Sequence, residues 1–342
     1  MNIKVIANAT GVSSATVSRV INNSGYVKDE TRQRVLKVID EYNYIPSAVA
    51  RSLSIQDTST IGVIIPDIEN PFFSSVIRGI SDVAEKNNYN ILFFGTNETA
   101  TTEHSFLKTV QSQRLKGVII TPISEFDMET RDYLKRLDST GIPVVLVDRD
   151  IKDTNFDGVF LDNVQSSYEG VQTLIQAGHK RIAIITGPNT SKPGKERLLG
   201  YKKVMKAYKL DIPPEYIAQG DFKAAKAYSK TQELLALPNP PTAIFASNNL
   251  TTLGCLKYLT ENKLQIGKDI SIMSFDDIET LRMIDFKLSV IDRDAKMQGQ
   301  EAMNILLHRL EYPSHTIGSQ RIILPHNIIL RGSERIDQDK LS

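Results

Sequence analysis

From Thr60 onward the apolar residues fall in short unbroken runs separated by longer mixed stretches. IGVIIP (61–66), NILFF (90–94), GVIIT (117–121) and VVLVD (144–148) show no apolar–polar alternation. Runs of this kind predict strands buried on both faces, as in a parallel sheet covered by helices. The stretches between them, near 72–86, 102–113 and 127–139, place apolar side chains at helical spacing. The series then repeats with GVFLD (158–162), IAIIT (182–186), EYIAQ, AIFAS and ISIMSFD, again with amphipathic segments between. The pattern predicts two doubly wound α/β halves of about 120 residues each. LSVID (288–292), a helix over 295–310 and a strand pair near 322–330 complete one half or the other. The segment after Gly332 is polar and is expected to fray.

The N-terminal stretch follows a different rhythm. Ile3, Ile6 and Ala7 predict a short helix, and Gly11 can take the left-handed backbone of a tight helix-to-helix turn. GVSSATVSRVIN (11–22) predicts a second helix with Ser13 as its N-cap and Val17, Val20 and Ile21 on its inner side. Its outer side carries Ser14, Ala15, Thr16, Ser18, Arg19 and Asn22, with no acid among them. Small polar groups let a backbone approach a polyanion, and Arg19 has the donor geometry for guanine or phosphate. An ordinary solvated helix would show the same period, so the reading needs its context. A turn through NNSGYVKDETR leads to a third helix from about Asp29 to Tyr42, whose Val35, Leu36, Val38 and Ile39 can close a small core. Three helices in this order set a recognition helix into a major groove. Next comes NYIPSAVARSLS (43–54). Pro46 blocks a continuous helix, and Ser47 can cap a short one over 48–53. So short a helix needs a partner, either a second copy or DNA. Leu53 then either wedges into a minor-groove step or packs on the next domain.

Charge leaves these readings standing and removes others. The 342 residues hold 41 Lys and Arg against 40 Asp and Glu, so a DNA-binding role rests on a local patch. Residues 1–58 hold seven basic against five acidic residues. One cysteine, Cys255, excludes an internal disulfide, and five scattered histidines without a C-x-x-C pair argue against structural zinc. There is neither a long apolar span nor a secretory signal pattern, so the expectation is a cytoplasmic protein without membrane partner or cofactor.

In open α/β sheets ligands sit outside the carboxyl ends of the strands. Those ends carry Asp67, Asn70, Phe72 and Phe73, then Asp148 and Arg149, Asn248 and Asn249, Asp276 and Asp277, and Asp292; Arg197 opens the helix after Gly187. Acids, amides and arginines give hydroxyls fixed donors and acceptors, and the two phenylalanines suit the C–H face of a sugar ring. Helix capping is the competing role. It is expected for Asp67, Asn249 and Asp277, but not for Asp148, Arg149, Arg197, Asn248 or Asp276. GPNTSKPGKE (187–196) is a poor phosphate loop, with six residues between its first and last glycines and Glu196 where Ser or Thr is required. No G-x-S-x-G occurs, and His179 and His326 are expected to be packing or surface residues. A sugar-processing enzyme would need a base, a phosphate loop or a metal site. A sugar receptor without DNA function would not need residues 1–58.

Over about residues 2–332 the chain resembles the lactose-repressor (LacI/GalR) family of transcription regulators. The likeness rests on GVSSATVSRVIN, VKDETRQRV, YIPSAVARSL, IGVIIPDIENPFF, GHKRIAIITGP, ERLLGY and FDD, in that order. Within the family it is most similar to ribose-type sugar repressors, through GYVKDETR, VARSL, PDIENPFF and VDRD. The resemblance implies a helix-turn-helix domain (1–45), a hinge helix (46–59) and a core like periplasmic sugar-binding proteins. That core divides into 60–161 plus 291–322 and 162–290 plus 323–332, with a flexible tail (333–342). It further implies a non-enzymatic homodimeric repressor that reads a pseudo-palindromic operator and responds to a small carbohydrate, with room for a protein corepressor. By motif, Ser14, Ala15 and Arg19 match base-reading positions, and Ser13, Thr16 and Asn22 match phosphate contacts. Ser18 and Tyr26 join the DNA-facing set, and Leu53 matches the minor-groove lever. Asn70, Phe72, Phe73, Asp148, Arg149, Arg197, Asn248 and Asp276 match the sugar-holding positions. A further position, often Gln, is assigned to Asp292. Val5 in place of a usual Asp, Asn249 in place of an Asp, and Asp292 in place of an amide are departures.

Overall fold

The computed structural model describes residues 3–21, 24–44, 59–312 and 318–337. Asn22, the expected hinge helix with Leu53, and residues 338–342 of the expected tail lie outside them. Residues 1–58 and 59–342 form two separate compact units.

The first unit contains α1 (Ile3–Thr10), α2 (Ser14–Ile21) and α3 (Asp29–Glu41). Gly11 takes φ +67° between the first two, a backbone that glycine adopts without cost. Ser13 caps α2 by accepting the Thr16 amide at 3.1 Å. Ile6, Ala7, Val17, Val20 and Val35 form the buried core, with Ile21, Val38 and Ile39 packed around it. Leu36, expected in that core, is exposed. It lies one residue beyond Val35, about 100° around the helix, which turns it to water.

The second unit has strands β1 (Thr60–Ile65), β2 (Asn90–Gly95), β3 (Gly117–Ile120), β4 (Val144–Val147), β5 (Asp157–Leu161), β6 (Ile182–Thr186), β7 (Ile217–Gln219), β8 (Ala243–Ala246), β9 (Ser271–Phe275), β10 (Ser289–Asp292), β11 (Arg321–Leu324) and β12 (Asn327–Ile329). Its helices are α4 (Pro71–Lys86), α5 (Ala100–Ser112), α6 (Met128–Ser139), α7 (Asn163–Gln176), α8 (Lys192–Ala207), α9 (Ala224–Leu235), α10 (Asn249–Glu261), α11 (Glu279–Met283) and α12 (Ala295–Glu311). They build two six-stranded sheets, ordered β11-β5-β4-β3-β1-β2 and β12-β10-β9-β8-β6-β7. All pairings are parallel except β10 with β12. Helices cover both faces of each sheet, which explains why the strands read as unbroken apolar runs.

The late segments depart from expectation. The chain returns to the first sheet only after Asp292, because Ile291 still pairs with Phe275 in β9. Ile323 and Leu324, assigned to the second lobe, pair with Phe160 and Leu161 in the first. The strand pair near 322–330 is therefore split, β11 in one sheet and β12 in the other. Edge strands that fit either apolar face carry no period saying which sheet they join.

Residues 333–337 are docked rather than frayed. Ser333 accepts the Ser289 amide at 2.7 Å and donates to the Ile272 carbonyl at 2.7 Å. His179, fully buried, contacts Thr242 Oγ1 at 2.8 Å and the Glu334 carbonyl at 3.0 Å. Among the described residues no helix is long and apolar enough to cross a membrane.

Candidate functional site

In the first unit, Ser13, Ala15 and Arg19 are exposed, and Ser14, Thr16 and Ser18 are half-buried on the outward side of α2. Tyr26 is 86% exposed, just beyond the turn at Gly25, where φ is +68°. The Ser13 hydroxyl that caps the helix also shares a hydrogen bond with Thr16 Oγ1 at 2.9 Å. Two of the expected phosphate-contacting groups therefore order the helix that presents Arg19.

In the second unit the carboxyl ends of the two sheets bring several of the expected cleft residues into one network. β4 runs directly into Asp148 and β9 into Asp276, and both aspartates adopt left-handed backbone, φ +64° and +69°. Aspartate tolerates that region better than most residues, and such local strain clusters at functional sites. Both carboxylates meet one guanidinium, that of Arg293. Its Nη1 donates to Asp148 Oδ1, while its Nε and Nη2 reach the two oxygens of Asp276 at 2.6 and 3.2 Å. Arg293 also stacks on Phe72, 3.7 Å from the ring centroid. Phe72 packs edge-on against Phe73 with centroids 4.9 Å apart. Burial works against ionisation of Asp148, but Arg293 and then Arg197 hold its carboxyl below the usual range.

Arg149 is clamped within the first lobe, its two Nη atoms on Glu98 at 2.9 and 2.7 Å. Arg197 projects from α8. It donates from Nε to Asn163 Oδ1 at 2.9 Å and from Nη1 to the Ser247 carbonyl at 2.6 Å, and it lies 3.4 Å from the Phe275 ring centroid. Among the described residues it has no ion pair with a carboxylate. Burial and the nearby Arg293 pull its pKa down to about 9. Phe222 sits 5.9 Å from both the Arg149 and the Arg197 guanidinium carbons, a second aromatic wall supplied from the loop after β7.

Two candidates serve as caps. Asn70 Oδ1 accepts the Phe72 amide at 3.0 Å and starts α4 ahead of Pro71. Asn248, not expected to cap, accepts the Thr251 amide at 2.8 Å as the N-cap of α10. Asn249, expected to cap, does not: its amide is buried without a hydrogen-bond partner among the described residues. Asp277, also expected to cap, instead forms a two-pronged ion pair with Arg331 at 3.0 and 2.8 Å.

Asp292 lies outside the network and pairs with neither Arg149 nor Arg197. Burial, with Asp277 and Asp276 nearby, pushes its carboxyl up. The residue that enters the cleft is its neighbour Arg293. Asp292 ends β10 and Arg293 is the first residue past it, so an assignment off by one residue names the strand's last side chain instead of the arginine. The local signal was present: IDRD (291–294) repeats the VDRD (147–150) pattern already singled out. Phe222, Phe275, Asn163 and Glu98 carry no comparable signal.

A cavity of about 830 Å³ opens beside the Arg293 network, lined by Phe72, Asn249, Asp276, Asp292 and Arg293 among others. The lobes also meet through other pairs: Lys223 with Asp67 at 3.3 Å, Lys192 with Asp150 at 3.0 Å, Lys195 with Glu125, and the Glu125 amide on the Thr190 carbonyl at 3.1 Å. Cys255 is buried, and its thiol is pushed up to about 12 by burial.

A three-helix unit and a two-lobed α/β unit with a charged, aromatic cleft, carried on one chain, define a DNA-binding regulator with a ligand domain. The chain belongs to the LacI family: residues 2–47 match the bacterial regulatory proteins of the lacI family, and residues 58–331 match the periplasmic binding proteins and sugar-binding domain of that family. It is 32% identical to the ribose operon repressor of Haemophilus influenzae over 332 residues, covering 97% of this chain and 98% of that one. It is 33% identical to the HTH-type transcriptional repressor PurR of Actinobacillus pleuropneumoniae over 333 residues, with the same coverage. Among solved structures it superposes on the lac repressor dimer bound to operator and the anti-inducer ONPF with a TM-score of 0.83 at 25% identity, covering 98% of this chain and 99% of that one. The transcriptional regulator CelR in complex with cellobiose superposes with a TM-score of 0.72 at 24% identity, covering 97% and 99%.

Proposed function

We propose that the chain is a homodimeric cytoplasmic repressor of carbohydrate-utilisation genes. It reads a pseudo-palindromic operator through the α2 face and is controlled by a small sugar-class effector, ribose or a related pentose or hexose derivative, held between its two lobes. The observation that carries this reading is the convergence of Asp148, Asp276, Arg149, Arg197 and the Phe72–Phe73 pair on one inter-lobe network, in a chain that also carries the α1–α3 unit. The ribose operon repressors and the lac repressor–operator complex among its relatives support the operator and the sugar.

In this mechanism the effector changes how the lobes close, residues 46–59 pass that change to the paired readers, and operator affinity follows. The effector must bind the two closure states with different affinity, by about 1–3 kcal/mol. The test is selection of duplexes from a random pool by the purified protein, followed by operator binding at fixed salt with neutral and anionic sugars. Enrichment of a palindrome whose binding one carbohydrate shifts at least severalfold is the expected result. A protein that enriches no palindrome, or whose palindrome ignores every carbohydrate, sinks the reading.

A further inference from the structure

A site built for a neutral polyol needs free acceptors for the hydroxyl donors, and carboxylates normally supply them. Here Arg293 has taken both oxygens of Asp276 and one of Asp148. Glu98 is likewise committed to Arg149. What is left unsatisfied includes donors, beside hydroxyls and an amide oxygen that can also accept. Arg149 Nε, Ser247 Oγ and the Asn249 amide are buried without hydrogen-bond partners among the described residues. Arg197, 2% exposed, is the buried guanidinium of this cleft that touches no carboxylate among the described residues; its direct partners are Asn163, a carbonyl and the Phe275 ring, while Asp276 and Asp148 act on it only from a distance. A buried charge with no counter-charge in contact is only partly offset, and a ligand that sets the opposite sign against it removes the remaining cost. The cavity of about 830 Å³ beside the network, with Phe72, Asn249 and Arg293 on its wall together with Asp276 and Asp292, has the volume for a substituted sugar.

We infer that the effector is an anionic carbohydrate, a sugar phosphate or a sugar acid, rather than a neutral pentose. Its charge lies against Arg197 and Arg293, and its ring lies between the Phe72 and Phe222 walls. This inference rests on the reading of the cleft as the effector site and narrows the chemical class that the site takes.

The test uses the full-length protein with D-ribose and D-glucose, their aldonates, their 5- and 6-phosphates, and inorganic phosphate, read by calorimetry and thermal shift. One of the sugar anions is expected to bind about tenfold or more tightly than its neutral parent and more tightly than inorganic phosphate. The aldonate and phosphate arms separate the two sources of charge. Arg293→Gln frees Asp148 and Asp276 as acceptors, so anion binding should fall and neutral-sugar binding rise, reversing the preference. Arg197→Gln, read on the same probes, should weaken the anion about tenfold and the neutral sugar less. A neutral parent that binds as tightly as its anions to the wild-type protein overturns the inference and leaves the carbohydrate reading intact. Inorganic phosphate binding as tightly as the best sugar anion overturns it too, by removing the sugar from recognition. Silence toward every probe overturns the carbohydrate reading and the inference together.

Discussion

Arg19 and Glu103 show how single side chains set measurable behaviour in each unit. Arg19 is exposed on α2 beside a cap that fixes the helix start, so its guanidinium is free to reach a base edge. Arg19→Ala should cost about 1–3 kcal/mol on the selected operator and relax one base position, at fixed salt; full retained selectivity would misplace the helix. Glu103 is fully buried, accepting from Ile123 N at 3.0 Å and Thr130 Oγ1 at 2.7 Å. Burial raises its pKa to about 7 from the ordinary 4.5. The native state therefore binds the extra proton between those values. Its stabilising contribution is present below about pH 4.5 and is lost as pH rises through 7, an effect of up to about 3 kcal/mol. The melting temperature of Glu103→Gln should lose this part of its pH dependence between pH 4.5 and 7; an unchanged profile would remove Glu103 as its source. At this scale the sequence was legible where a motif names the residue, as at Asp148, Arg197 and Asp276. It was not legible at Arg293, where the strand's end separates two charged neighbours, or at Asn248, where one side chain suits both a cap and a ligand.

The close crossing of α4 and α12 makes an element-level prediction. A Cβ on Gly79 would sit 2.0 Å from the Lys296 carbonyl oxygen, and one on Gly299 would sit 2.0 Å from that of Val76. The obstacles are backbone, which cannot swing aside as a side chain can. Gly79→Ala and Gly299→Ala should each destabilise the second unit by about 3 kcal/mol or more, by overpacking rather than by lost contacts. Urea unfolding would check this, and a loss below about 1 kcal/mol would mean that the helices separate easily. Glycine spacing alone did not announce this contact, because the partner helix comes from more than 200 residues away in the chain. The strands, by contrast, were readable almost residue for residue, since burial on both faces leaves no polar position to blur the run. Edge strands were the exception. β11 and β12 fit either sheet by composition, and only the pairing with β5 and β10 separates them. Likewise 333–337 looked like a tail because its polarity serves Ser289, Ile272 and His179 rather than water.

Across the whole molecule the inter-lobe contacts divide by depth. The Arg293 network is buried, whereas Lys195 and Lys223 are each 37% exposed at the side chain. Partly solvated pairs contribute about 0–1 kcal/mol and weaken with salt, so in the proposed mechanism the lysines would tune closure and the buried network would decide it. If effector and operator are coupled only through closure, linkage requires symmetry: the factor by which saturating effector changes operator affinity must equal the factor by which operator changes effector affinity. Lys195→Gln combined with Lys223→Gln weakens only the closed state, so both factors should change together, by less than about tenfold, with most of the salt dependence lost. Operator titrations with and without effector, and effector titrations with and without operator, give the four affinities needed. Unequal factors in the wild type cannot arise in a closed thermodynamic cycle and would reveal an unrecorded component, such as a bound corepressor. Equal factors that ignore the double variant would move the coupling away from lobe closure.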